Sequence, residues 1–152
     1  MRKTAFLLLL TLLTACVSKT IVWTENHNFS GNEWKGREEV TFVPDTVSLL
    51  PGDTERGVLT FRYSSNANVR SFPVIMEIEC PQTGEYRIDT LRTSLLSTAE
   101  RTGNRSSAGV FEANDTITLN QPVDPGWTVT FRLPDPNTEI KGLFSLMFTL
   151  ER

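Results

Sequence analysis

Histidine and cysteine are scarce in this chain, which has one histidine and two cysteines in 152 residues. A Ser-His-Asp or Cys-His arrangement would have to use His27, which we interpret as a surface residue at the polar end of an early strand. So few imidazole and thiol groups cannot supply the usual zinc ligand sets. There is no Gly-x-Ser-x-Gly elbow and no glycine-rich phosphate loop. We therefore predict no enzymatic activity, no metal and no other cofactor.

A pair of carboxylates would be enough for a glycosidase, because that reaction needs only two acidic groups from different strands. The candidates occupy polar positions of alternating strands, where solvated side chains are expected. A small hydrolase therefore stays an alternative, and its possible residues are Glu38, Glu39, Glu77, Glu79 and Asp89.

The first sixteen residues have the layout of a bacterial secretory signal. Arg2 and Lys3 precede an apolar run that ends at Leu13, which is shorter than the roughly 20 residues of a membrane span. The sequence Leu-Thr-Ala-Cys that ends at Cys16 resembles the lipobox of bacterial lipoproteins. This implies that the signal peptide helix, residues 1–15, is removed and that Cys16 carries fatty acids such as palmitate. A plain signal peptide, with Cys16 there by coincidence, is the alternative.

Positive charge is also limited once the signal is removed. The remaining chain has 13 Lys and Arg against 18 Asp and Glu, a net charge of −5. This balance argues against nucleic acid as a partner. It offers no polybasic attraction to lipid, so the acyl chains would hold the protein at the membrane through a short tether, residues 16–20. No later apolar stretch is long enough to span a bilayer.

Apolar and polar residues alternate with period two from Ile21 onward, which indicates strands. We predict one domain, residues 21–152, that is all-β and forms an antiparallel β-sandwich of seven to nine strands with a jelly-roll or immunoglobulin-like topology. Ser94 to Gly109 reads as a mobile loop. The predicted strands are Val40–Val43, Gly57–Tyr63, Pro73–Cys80, Tyr86–Leu91, Thr116–Leu119, Trp127–Leu133 and Leu143–Leu150.

Two aromatic residues and a thiol are interpreted from this alternation. Trp127 is in phase with apolar neighbours and belongs to the core. Trp34 lies in a Gly- and Asn-rich loop and is a candidate exposed aromatic contact that could stack on sugars; a lid on the sandwich end is the alternative. Cys80 ends an apolar run, so we expect a buried, unreactive thiol, with an intermolecular disulfide or a reactive thiol as the alternative.

The tripeptide Asp-Thr-aliphatic occurs three times, at Asp45–Val47, Asp89–Leu91 and Asp115–Ile117. It resembles the O-glycosylation acceptor of exported Bacteroidota proteins. The candidate sites are Thr46, Thr90 and Thr116. An Asp followed by a β-branched residue at the start of a strand would explain the pattern equally well.

The order of these features resembles the GldH family of gliding-motility lipoproteins of Bacteroidota from about Trp23 to the end. The resemblance rests on Val22-Trp23, Phe29, Trp34, Val40-Thr-Phe42, Leu59-Thr-Phe-Arg62, Phe72-Pro-Val-Ile-Met-Glu-Ile78, Gly84-Glu-Tyr-Arg-Ile-Asp-Thr-Leu91, Pro125-Gly-Trp-Thr-Val-Thr-Phe131 and Ile140-Lys-Gly-Leu143. It implies a non-enzymatic envelope lipoprotein whose partners are envelope proteins of the motility apparatus or the associated secretion machinery. Only the acylated cysteine transfers, onto Cys16.

The residues after Cys16 help to predict on which side of the membrane the lipoprotein lies. Surface-exposed lipoproteins of Bacteroidota often carry a lysine followed by acidic residues there, and this chain has Lys19 without the acids. We therefore expect an outer-membrane anchor with the domain facing the periplasm. A surface lipoprotein that binds glycans through Trp34 is the alternative function.

Overall fold

The computed structural model describes residues 20–45, 56–95, 105–106, 109–119, 123–124 and 126–152. The predicted signal peptide, Cys16 and Thr46 lie outside these residues. In the described part the chain is nearly all β, with a short 3-10 turn at Ser30–Asn32. No helix in these ranges is long and apolar enough to cross a membrane. The all-β prediction is confirmed.

The strands pair in antiparallel fashion throughout the described residues and form two main sheets and one small one. The five-stranded sheet has the order β1-β11-β4-β8-β7, the four-stranded sheet has the order β3-β9-β5-β6, and β10 pairs with β2. The strands are β1 (Ile21–Asn28), β2 (Glu33–Lys35), β3 (Val40–Phe42), β4 (Arg56–Ser64), β5 (Ser71–Cys80), β6 (Glu85–Ser94), β7 (Arg105–Ser106), β8 (Val110–Thr118), β9 (Thr128–Arg132), β10 (Glu139–Lys141) and β11 (Leu143–Glu151).

The described residues thus hold eleven strands, more than the seven to nine predicted, because several strands are only two or three residues long. Such short strands leave almost no periodicity in a sequence. β8 starts at Val110 rather than at Thr116, since Phe111 and Ala113 already face the core. The predicted loop Ser94 to Gly109 was wrong at two places, because Ser94 ends β6 and Arg105–Ser106 pair with β8.

Tight turns with glycine precede two of the strands, β6 and β9. Gly84 closes the hairpin between β5 and β6 with φ of 72°, and its amide donates to the Cys80 carbonyl at 2.8 Å. A second turn precedes β9, where the Trp127 amide donates to the Asp124 carbonyl at 3.2 Å. Glycine suits the positive φ at such positions because it has no Cβ.

The two main sheets pack face to face as a sandwich around an aromatic core. Phe148 of the five-stranded sheet meets Phe131 of the four-stranded sheet with ring centroids 5.2 Å apart. Trp127 is buried, as predicted. Cys80 is also buried, with its thiol donating to the Gln82 side chain at 3.2 Å, and it is a free thiol.

Trp34 was a candidate for an exposed aromatic contact, with a lid on the sandwich end as the alternative, and the structure rules out the exposed contact. Its side chain has no exposed surface, because β2 pairs with β10 and turns the indole inward. The ring stacks on Phe29 with a centroid distance of 5.2 Å, and its Nε1–H donates to the Glu38 carbonyl at 3.0 Å. A residue in a Gly- and Asn-rich segment therefore belongs to the core.

Candidate functional site

The candidate carboxylates lie at several places on the described structure, and Glu39 lines a surface cavity together with Arg132. Glu38 contacts His27, whose Nε2 lies 3.1 Å from the Glu38 carboxylate, and both side chains are about one-third exposed. Glu77 lies on the outer face of the four-stranded sheet, whereas Asp89 lies on its inner face opposite the buried Met76. The described residues contain no group of three or more potential metal ligands.

Asp89 was expected at a solvated position; it lies on the inner face of its sheet, but on an edge strand where its side chain is 37% exposed. Residues directly opposite each other on paired strands point to the same side of the sheet. Met76 is buried and pairs with Asp89, so Asp89 points toward the interior, where it forms an ion pair with Arg87. Between Tyr86 and Asp89 the alternation is therefore inverted, with Arg87 and Asp89 inward and Tyr86 and Ile88 outward, whereas Leu91 also points inward.

The inward charges have a structural reason in the position of β6. Among the described strands, β6 pairs only with β5 and forms an edge of its sheet. An edge strand exposes backbone donors and acceptors that can pair with another chain, and inward-pointing charges are one way in which proteins limit this. Arg87 and Asp89 fit that description. Both side chains keep contact with solvent, at 22% and 37% exposure, so a sheet that packed closely onto them would have to bury their charges.

The outward residues of β6 form the most apolar exposed surface of the four-stranded sheet. Tyr86 is 56% exposed and Ile88 is 51% exposed. Both point outward, because they pair with Glu79 and Glu77 of β5. Half-buried Ile75 lies on the same face. We call Ile75, Tyr86 and Ile88 the β6 patch.

Polar groups border the β6 patch and hold the Tyr86 side chain. The Arg132 guanidinium donates to one Glu77 carboxylate oxygen through Nε at 2.8 Å and Nη2 at 2.7 Å. Desolvation of the Tyr86 phenol, together with its hydrogen bond to Glu77, raises the pKa of Tyr86 above its usual value. Tyr86 therefore remains a neutral hydrogen-bond donor at physiological pH. An apolar surface bordered by satisfied polar groups is typical of protein contact sites.

The two described glycosylation candidates are exposed at the middle of strands. In both motifs Asp and the aliphatic residue point inward and Thr points outward, as strand alternation requires. Thr90 lies beside Ile75 on the outer face of the four-stranded sheet, and Thr116 lies on the outer face of the five-stranded sheet. Both hydroxyls are on accessible surfaces, which is compatible with modification and with an unmodified strand.

The sequence did not identify the β6 patch. Tyr86 and Ile88 alternate with charged residues, which is the pattern of an ordinary half-buried strand. One signal was available, since Leu91 is out of phase with Tyr86 and Ile88 and in phase with Arg87 and Asp89. The pairing with β5 decides which set faces the core, and the sequence of β6 alone does not specify that pairing.

No family model matches the chain, and no curated protein matches it.

Proposed function

We propose that this chain is a membrane-anchored envelope lipoprotein that acts by protein–protein interaction, without catalysis, in gliding motility or the associated secretion machinery. The observation that carries the proposal is the pair of exposed side chains Tyr86 and Ile88 on the edge strand β6. The motility context rests on the resemblance to the GldH family. The anchor rests on the lipobox that ends at Cys16.

The edge of β6 suits one mode of binding in particular. An extended segment of a partner can add to a sheet edge, where backbone hydrogen bonds give affinity and alternate side chains give specificity. A partner strand beside β6 would place its outward side chains next to Tyr86 and Ile88. The apolar contact would then supply affinity, since burial of apolar area contributes roughly 25 cal/mol per Å² before the costs of association.

The membrane contact is assigned to the acyl chains on Cys16. A net charge of −5 after loss of the signal gives no electrostatic attraction to an anionic lipid surface. With a tether of residues 16–20, the sandwich works close to the bilayer. We propose the outer membrane as the site and the periplasm as the side on which the domain lies.

The residues named for the two alternative functions support those functions less well than the sequence suggested. The glycan-binding alternative depended on Trp34, which is buried. The hydrolase alternative depended on two convergent carboxylates. Glu77 and Glu79 share an outer face, but the Glu77 carboxylate is held by Arg132.

O-glycosylation at one of the three threonines stays a prediction. A glycan on Thr90 would cover Ile75 and compete with docking at the β6 patch, because both lie on one face. Between Thr90 and Thr116 we therefore expect Thr116 to be the acceptor. Intact-mass measurement of the native protein that finds only acyl additions would contradict this.

Site-specific photo-crosslinking in intact cells tests the docking proposal. A photoreactive phenylalanine analogue replaces Ile88 in one variant and Thr116 in a control, since both positions are exposed but lie on opposite sheets. We expect crosslinks to envelope proteins of the motility or secretion apparatus at position 88 and not at position 116. Equal crosslinking at both positions, or adducts with lipid alone, would overturn the proposal.

A further inference from the structure

One end of the sandwich carries an open groove, lined by polar and apolar groups, that the docking proposal does not use. It has a volume of about 490 Å³, within the roughly 300–1,000 Å³ typical of small-molecule sites. Three chain segments meet there: the turn before β2, the end of β4 and the junction of β10 and β11. The side chains that matter are those of Asn32, Glu33, Ser64, Asn66, Lys141 and Phe144.

Backbone hydrogen bonds fix the shape of the groove. The Gly142 amide donates to the Asn32 carbonyl at 2.9 Å, and the Ser64 amide donates to the Gly142 carbonyl at 2.8 Å. The Ser64 hydroxyl accepts the Asn66 amide at 3.2 Å. The three segments are thus joined directly through their backbones.

Two irregularities of the backbone occur at this groove. Asn32 has φ of 57°, and within the described residues it is the one position other than glycine with positive φ. The ladder between β11 and β4 shifts register between Leu143 and Ser145, which makes Phe144 an extra residue in a bulge. Bulges redirect side chains and are frequent beside functional sites, and residues held in unfavourable φ regions also cluster there.

The bulge places an aromatic ring in a polar setting. Phe144 is half-buried and lines the groove together with the Asn32 and Asn66 amides. Without the extra residue, the register of Ser145 with Arg62 would place Phe144 opposite Tyr63, which is buried and faces the core. An apolar ring face beside several fixed donors and acceptors matches a sugar ring, which has an apolar face of C–H groups and a rim of hydroxyls.

The charges around the groove favour an uncharged ligand. The Lys141 ammonium lies 3.8 Å from the Glu33 carboxylate and 3.9 Å from the Glu139 carboxylate. One positive charge between two negative ones leaves no excess cation for a phosphate or a carboxylate. The carboxylates and the ammonium remain able to accept and donate hydrogen bonds to hydroxyl groups.

We propose that this groove binds a neutral saccharide, with Phe144 stacking on the sugar and Asn66, Glu33 and Lys141 binding its hydroxyls. Ser64 and Gly142 position these groups through the backbone. The site is distinct from the β6 patch and does not depend on docking there.

The test measures saturation-transfer NMR signals for purified full-length protein in detergent micelles. The probes are three trisaccharides: neutral N-acetylglucosamine trimer, neutral maltotriose and anionic galacturonate trimer. We expect millimolar or tighter binding of at least one neutral probe and a weaker signal from the anionic one. No signal from either neutral probe, or binding of the anionic probe alone, overturns the proposal.

Variants assign the binding to the groove. Phe144→Ala should weaken the neutral probe about tenfold, equivalent to about 1.4 kcal/mol, and Phe144→Trp should retain it. Asn66 is exposed, so Asn66→Ala should weaken binding without affecting folding. Thr41→Ala, at an exposed position of β3 in the four-stranded sheet, is the control and should bind as the unchanged protein does. Unchanged affinity in both Phe144→Ala and Asn66→Ala would contradict the site.

Discussion

The indole of Trp34 lies against the ring of Phe29, with centroids 5.2 Å apart and planes inclined by 23°. Phe29 follows β1 and Trp34 lies in β2, so this contact joins the end of the five-stranded sheet to the small sheet. Phe61 also stacks on Trp34, with the two ring centroids 6.1 Å apart. The aromatic cluster therefore holds residues 29–34 against the core. Asn32 and Glu33 of this segment line the groove.

Replacement of Trp34 by Ala should destabilise the domain by about 3–5 kcal/mol, because a fully buried ring would leave a cavity. Trp34→Phe should cost less, since it keeps aromatic packing and loses the hydrogen bond to the Glu38 carbonyl. Urea unfolding followed by circular dichroism measures both. Tyr86→Ala removes an exposed ring and should change the free energy of unfolding by no more than about 0.5 kcal/mol. Equal losses for Trp34→Ala and Tyr86→Ala would contradict the burial of Trp34.

Gly142 should tolerate a side chain far less well than Gly84, although both have positive φ, 82° and 72°. A Cβ on Gly142 would lie 2.8 Å from Ser64 Oγ and 2.9 Å from the Ala67 backbone, whereas a Cβ on Gly84 would meet nothing within 4 Å. Gly84→Ala should therefore cost about 1 kcal/mol for the backbone conformation alone. Gly142→Ala should cost about 1–3 kcal/mol more because of the clash. Thermal unfolding of the two variants gives the comparison, and similar melting temperatures would count against it.

The Tyr86 phenol should ionise above its ordinary pKa of 10.0, because desolvation and the hydrogen bond to Glu77 favour the neutral form. The folded state then holds this proton more tightly than the unfolded state, so the stability contribution is present below pH 10 and is lost as the pH rises through the folded pKa. Glu77→Gln should lower the pKa only partly, since desolvation remains. The difference in alkaline absorbance between the protein and its Tyr86→Phe variant isolates this group from Tyr63. A Tyr86 pKa at or below 10 would contradict the expectation.

Replacement of Cys16 by Ala should release the protein from the membrane while the domain stays folded. Each buried CH2 of an acyl chain contributes roughly 0.8 kcal/mol to membrane binding, and the chain has no basic cluster to compensate. Fractionation of cells after a high-salt wash measures the release. Cys80→Ala removes the other cysteine and should remain in the membrane fraction. Retention of Cys16→Ala with the membranes would refute the lipid anchor.

Much of the sandwich follows from local sequence. The long strands β4, β5, β9 and β11 alternate strongly, and Gly84 sits where the hairpin needs positive φ. These features are readable because strand alternation and turn chemistry are set by residues close together in the chain. The lipobox that ends at Cys16 is likewise local.

Tertiary pairing decided the rest. The alternation in β6 leaves open which side is buried, and the pairing of Met76 with Asp89 turns Tyr86 and Ile88 to solvent. Trp34 lies in a segment with a loop composition, and only β10 turns its ring into the core. The groove needs three segments that are far apart in sequence, together with a bulge at Phe144. By itself the sequence determined the all-β class and the long strands, whereas only the tertiary structure decided which faces the protein presents to its surroundings, because a side chain's exposure is set by the strand opposite it.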